Sequence, residues 1–131
     1  MHRQGTVPLT AASSWLQDAL EALARLAQLP HNWDSYGAEP PNETALAHAR
    51  DVLDAMSEAD LKPSHLDPSA ENGVCLSFTQ GSRYADIECF NSGEILAVTS
   101  SGDGKPIVWE VPATAIDIKL AVRRIQAYLG Q

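Results

Sequence analysis

The chain predicts an α+β fold: two N-terminal helices, a four-stranded antiparallel β-meander and a C-terminal helix packed on the sheet. Three observations carry this expectation. Apolar residues recur at helical spacing up to about residue 57 and again after residue 114. Between Gly73 and Val111 the period switches to two, and glycine-containing turns break the alternating stretch at the intervals of a meander. At 131 residues and 44% hydrophobic content, the chain is long enough to bury one core without disulfides or metal.

Residues 1–12 offer few anchors and are expected to fray, leaving 13–131 as a single domain. Ser14 with Gln17 reads as a capping box for a first helix over 14–29. Its wide apolar face combines Leu16, Leu20, Leu23 and Ala27 with Trp15, Ala19, Ala22, Leu26 and Leu29. Asn42 caps a second helix ending near Ser57, in which Ala45, Leu46, Ala49, Val52, Leu53 and Met56 repeat at helical spacing. Residues 58–72 contain Pro63 and Pro68 and read as a long connection with at most one short extended piece.

Val74, Leu76 and Phe78 alternate with Cys75, Ser77 and Thr79. Gly81-Ser82 suits a two-residue type II′ hairpin turn. That turn pairs Gln80 with Arg83 and sets Phe78, Leu76 and Val74 opposite Ala85, Ile87 and Cys89, all six facing inward. The outer face then carries Cys75, Ser77, Thr79, Tyr84, Asp86, Glu88 and Phe90, so the cysteines point to opposite faces and cannot join. After Asn91-Ser92-Gly93 the third strand has two possible registers. A three-residue loop with Gly93 in a bulge turns Ile95, Ala97 and Thr99 inward, and a two-residue turn selects Leu96 and Val98. Ser101 to Lys105 is a hairpin tip before a fourth strand with Ile107, Trp109 and Val111. Thr114 and Asp117 form a capping box for a last helix whose face is Ile118, Val122, Ile125 and Leu129, stopped by Gly130.

The loop from Leu29 to Pro41, LPHNWDSYGAEPP, has most reason to hold one shape. Pro30 ends a helix, Asn32 and Asp34 bond local backbone, Gly37 permits positive φ, and Pro40-Pro41 is stiff. Two readings stand for Trp33 and Tyr36: plugs between helices and sheet, or anchors for a partner or ligand. The motif Leu-Pro-x-Asn-Trp-Asp-Ser-Tyr-Gly-Ala, followed by a proline-started helix, resembles a set of small bacterial proteins with an N-W-D-G/S-Y-G-A signature. The resemblance extends more weakly through Pro63 and the Gly73 hairpin, about the middle half of the chain. It departs at Leu76-Ser77-Phe78, where that set ends the strand in Trp. It implies the layout and no activity.

Net charge is −8, and residues 34–71 hold −7 of it: nine carboxylates against Arg50 and Lys62. Direct nucleic-acid binding is disfavoured by that acidic centre. A basic protein partner would be steered to it, and a solvated helix face that maintains solubility is the alternative. No apolar run reaches the length of a membrane span or a signal peptide h-region, so the expected location is cytoplasmic.

Catalytic spacings are missing. Gly102-Asp103-Gly104-Lys105 lacks Walker spacing and is followed by Pro106. His2, His31, His48 and His65 show no i,i+4 pairing, so no metal site or cofactor is expected. Asp86, Glu88 and Glu110 share a face, where a solvated surface outweighs an acid–base pair. The expected function is therefore a non-catalytic, acidic protein-binding module. It would be an inhibitor of antitoxin, immunity or anti-nuclease/anti-CRISPR type that occupies a basic, even nucleic-acid-binding, protein surface. The residues expected to bind the partner are Trp33, Asp34, Tyr36, Glu39, Glu43, Asp51, Asp54, Glu58 and Asp60. The alternatives are a small-ligand binder or hydrolase with a pocket near Trp33 and Tyr36, and a homodimer joined through Phe90, Leu96 or Val98.

Overall fold

The computed structural model describes residues 7–130, with side chains from Ser14 onward. The elements run α1 (Val7–Leu26), α2 (Glu43–Glu58), β1 (His65–Ser69), β2 (Gly73–Gln80), β3 (Arg83–Phe90), β4 (Ile95–Ser100), β5 (Ile107–Glu110) and α3 (Ala115–Leu129). The sheet is antiparallel with five strands in the order β1-β2-β3-β4-β5. It is thus an α+β meander with one strand more than the four expected.

The additional strand is β1, in the segment read as a connection. His65-Leu66-Asp67-Pro68-Ser69 pairs with Ser77 to Gly73. A proline is tolerated here because an edge strand has one side free of ladder bonds. The first helix also differs from expectation. It begins at Val7, so Ser14 lies inside it and is no N-cap, and it stops at Leu26, three residues before Leu29. Of the stretch expected to fray, residues 1–6 lie outside the described residues, while 7–12 belong to α1.

The later elements follow their local chemistry. Asn42 caps α2, its side chain accepting from Ala45 N at 2.9 Å. Thr114 does the same for Asp117 N, and Gly130 ends α3 with φ +80. The β2–β3 register pairs Gln80 with Arg83 and Leu76 with Ile87, as the turn requires. The three-residue loop decides β4: Gly93 adopts φ +98, Cys89 faces Ile95, and Ile95, Ala97 and Thr99 turn inward.

All three helices pack on one face of the sheet. α2 lies against β2 and β3, α3 against β3 and β4, and α1 against α2 and β1. The core joins Leu23, Leu53, Met56, Leu61, Leu76, Ile87, Ile95 and Ile125, each almost fully buried. Burying each such side chain contributes about 1.5–3 kcal/mol. Gly73 shows how tightly β2 meets β3, since a Cβ there would sit 2.1 Å from the Cys89 carbonyl oxygen. No described helix covers the other face of the sheet. No described helix is long and apolar enough to cross a membrane.

Candidate functional site

Three groups of polar side chains stand apart from the core. The first is the loop between α1 and α2. Asn32 and Ser35 adopt left-handed φ values of +62 and +67, and Gly37 one of +90. These reversals close the loop on itself. Asn32 N donates to Ala38 O at 2.7 Å, and Asp34 Oδ1 accepts from Tyr36 N at 2.9 Å and Ala38 N at 3.0 Å. Those two N–H groups favour the ionised carboxyl and hold Asp34 below the usual 3.8. Trp33 Nε1 donates to Glu39 O, and His31 Nδ1 lies 2.6 Å from Glu39 Oε2. Trp33 is half-buried, whereas Tyr36 is 92% exposed and plugs no gap.

The second group lies on α2. Asp51, Asp54 and Glu58 fall at i, i+3 and i+7 and share one exposed face. With Ala55, Ala115, Ile118 and Lys119 they line a shallow groove of about 210 Å³ between α2 and α3. Partial burial, then repulsion from Asp51 and Glu58, raises the Asp54 carboxyl above its ordinary 3.8. Lys119 Nζ approaches Glu58 at 3.4 Å.

The nine residues expected to bind a partner fall in the loop, along α2 and just beyond its end. Trp33, Asp34, Tyr36 and Glu39 belong to the loop. Glu43 opens α2 and pairs with Arg50 at 2.8 Å. Asp51 follows Glu43 by eight residues, about 12 Å along the helix axis. Asp60 sits beyond α2 with φ +55. Asp51, Asp54 and Glu58 line one groove together, and Asp54 feels the charge of both its neighbours.

The third group lies on the sheet face without helices. Ser77, Asp86 and Ser69 are buried there although no helix covers them. Polar side chains on that face engage one another. Tyr84 OH reaches along its strand to donate to Asp86 Oδ2 at 2.6 Å, and Ser69 Oγ donates to Glu88 Oε2. Cys75 Sγ and one oxygen each of Asp86 and Glu88 lie within 4.8 Å of one another. Burial, followed by the charges of Asp86, Glu88 and Asp67, pushes the Cys75 thiol up to about 12. Asp86 and Glu88 are raised too, chiefly by burial. This is not the solvated face expected for Asp86 and Glu88. Alternation places these residues on one face, but their enclosure depends on the lengths and directions of neighbouring side chains, which local pattern does not encode.

Comparison with protein-family models, curated proteins and solved structures gave no match.

Proposed function

We propose that this chain is a non-catalytic protein-binding module that receives a cationic protein surface on α2, in the manner of an inhibitor, antitoxin, immunity or anti-nuclease protein. The observation that carries this reading is the Asp51–Asp54–Glu58 cluster. Three like charges share one helix face, and Lys119 approaches only the last of them. Such a face is unfavourable in the free chain and is relieved when lysine or arginine side chains dock on it. The apolar floor of the groove, Ala55 and Ile118, suits the aliphatic stem of such a side chain.

Tyr36 supports the same reading from another part of the surface. A nearly fully exposed tyrosine on an internally bonded loop loses little entropy on docking, and aromatic side chains of this kind anchor interfaces. A ligand pocket at Trp33 and Tyr36 is less well supported. The Trp33 N–H is engaged by Glu39, and Tyr36 lacks the enclosure such pockets provide.

The test is capture of partners from the native host by the wild-type chain and by the Asp51→Lys/Asp54→Lys/Glu58→Lys variant. A basic protein retained by the first, released by salt, and lost from the folded variant supports the proposal. Equal recovery by both removes it.

A further inference from the structure

The geometry points to a metal site on the helix-free face of the sheet: a divalent transition-metal ion, with zinc the best fit, held by Cys75 Sγ and one carboxylate oxygen each of Asp86 and Glu88. This inference does not depend on the reading of α2.

The strands themselves build the donor set. β2–β3 pairing puts Cys75 directly opposite Glu88 and Ser77 directly opposite Asp86, so Asp86 is the diagonal neighbour of the thiol. Their donor atoms lie within 4.8 Å of one another. Tetrahedral zinc, with bonds of about 2.3 Å to sulfur and 2.1 Å to oxygen, needs donors about 3.5 Å apart.

A separate observation supports the site. Asp86 is only 8% exposed, and its Oδ1 is shut off from solvent with no hydrogen-bond partner. A buried carboxylate oxygen without a donor is costly, and a bound cation is one way to satisfy it. Among the described residues, no lysine, arginine or histidine forms an ion pair with Asp86 or Glu88. One oxygen of each carboxylate is held by a hydroxyl, Asp86 Oδ2 by Tyr84 OH and Glu88 Oε2 by Ser69 Oγ. Metal-binding carboxylates have outer partners of this kind.

The donor types choose the ion. Calcium and magnesium take oxygen ligands in sets of six or more, whereas one sulfur with two oxygens suits zinc or cobalt(II). On binding, the Cys75 S–H bond breaks, its proton passes to solvent and the sulfur forms the bond to the ion. Three protein donors leave a fourth position for water.

Titration of the reduced full-length chain with Co²⁺ tests this. The expected result is one ion per chain, a thiolate-to-cobalt charge-transfer band, and displacement by Zn²⁺. Cys75→Ser should lose the band. Tyr84→Phe and Ser69→Ala should keep it while weakening affinity by about 10- to 100-fold, as loss of outer partners does. A folded wild-type chain that binds no stoichiometric Co²⁺ overturns the site, as does a Cys75→Ser chain that binds with wild-type affinity.

Discussion

Asn42 and Asn91 clasp each other across the chain. Asn91 Oδ1 accepts from Asn42 N at 2.9 Å, and Asn42 Nδ2 donates to Asn91 O at 3.0 Å. Asn91 Nδ2 also donates to Pro40 O at 3.1 Å. The turn between β3 and β4 thereby holds both the end of the aromatic loop and the start of α2, where Asn42 is also the N-cap. Asn91→Ala removes two of these bonds. At about 1 kcal/mol each, it should cost about 2 kcal/mol in urea unfolding, and a loss below a quarter of that would show the clasp to be incidental.

Among the described glycines, Gly73 leaves the least room for a methyl group. A Cβ would lie 2.1 Å from the Cys89 carbonyl oxygen and 2.8 Å from Phe90 Cα, both backbone atoms that no rotamer change moves. Gly73→Ala should therefore destabilise by about 3 kcal/mol, at the upper end of overpacking costs. A melting temperature within a degree of wild type would contradict the tight β2–β3 contact.

Asp34 gives a pH dependence with a definite sign. Its folded-state carboxyl is held below 3.8 by the Tyr36 and Ala38 N–H groups, so the unfolded chain binds its proton more readily. The stabilisation is present above that unfolded value and is lost as pH falls through the lower folded one. Asp34→Asn should lower stability at neutral pH and reduce the difference from wild type at the acid end of a denaturation series. A difference that stays constant down to the most acidic point would exclude this ionisation.

Asp54 should behave in the opposite sense. Its carboxyl is raised, so the folded chain favours the protonated form, and its charge opposes folding above that raised value. Asp54→Asn should stabilise the free chain at neutral pH by roughly 0.2–0.5 kcal/mol, the scale of exposed like-charge pairs on a helix, and less in high salt. The same substitution should weaken binding of the cationic partner. A variant both less stable and tighter in binding would contradict the proposed role of α2.

Much of the architecture is legible wherever a short-range rule is enough. The Gly81-Ser82 turn and the alternation on both sides of it give one mutually consistent register for β2 and β3. Asn42, Thr114 and Gly130 mark helix ends because each acts on backbone within a few residues. β1 was legible only as one short extended piece in a connection, not as a paired strand, for the converse reason. His65-Leu66-Asp67-Pro68-Ser69 has little alternation and contains a proline, and becomes a strand only because β2 offers it a ladder. The start of α1 at Val7 was hidden by Ser14 and Gln17, which have the form of a cap but lie within the helix.

The candidate sites divide along the same line. Sequence alone determined that α2 is acidic, that the cysteines face opposite ways, and that Cys75, Asp86 and Glu88 share a face, since these follow from residue type and periods of 3.6 and 2. Tertiary structure decided that Asp34 and Glu39 are engaged within their own loop, that Tyr36 stands in solvent, and that Asp86 is buried with one oxygen unpartnered. Periodicity assigns a side chain to a face, whereas burial and hydrogen-bond partners depend on neighbours brought close by the fold.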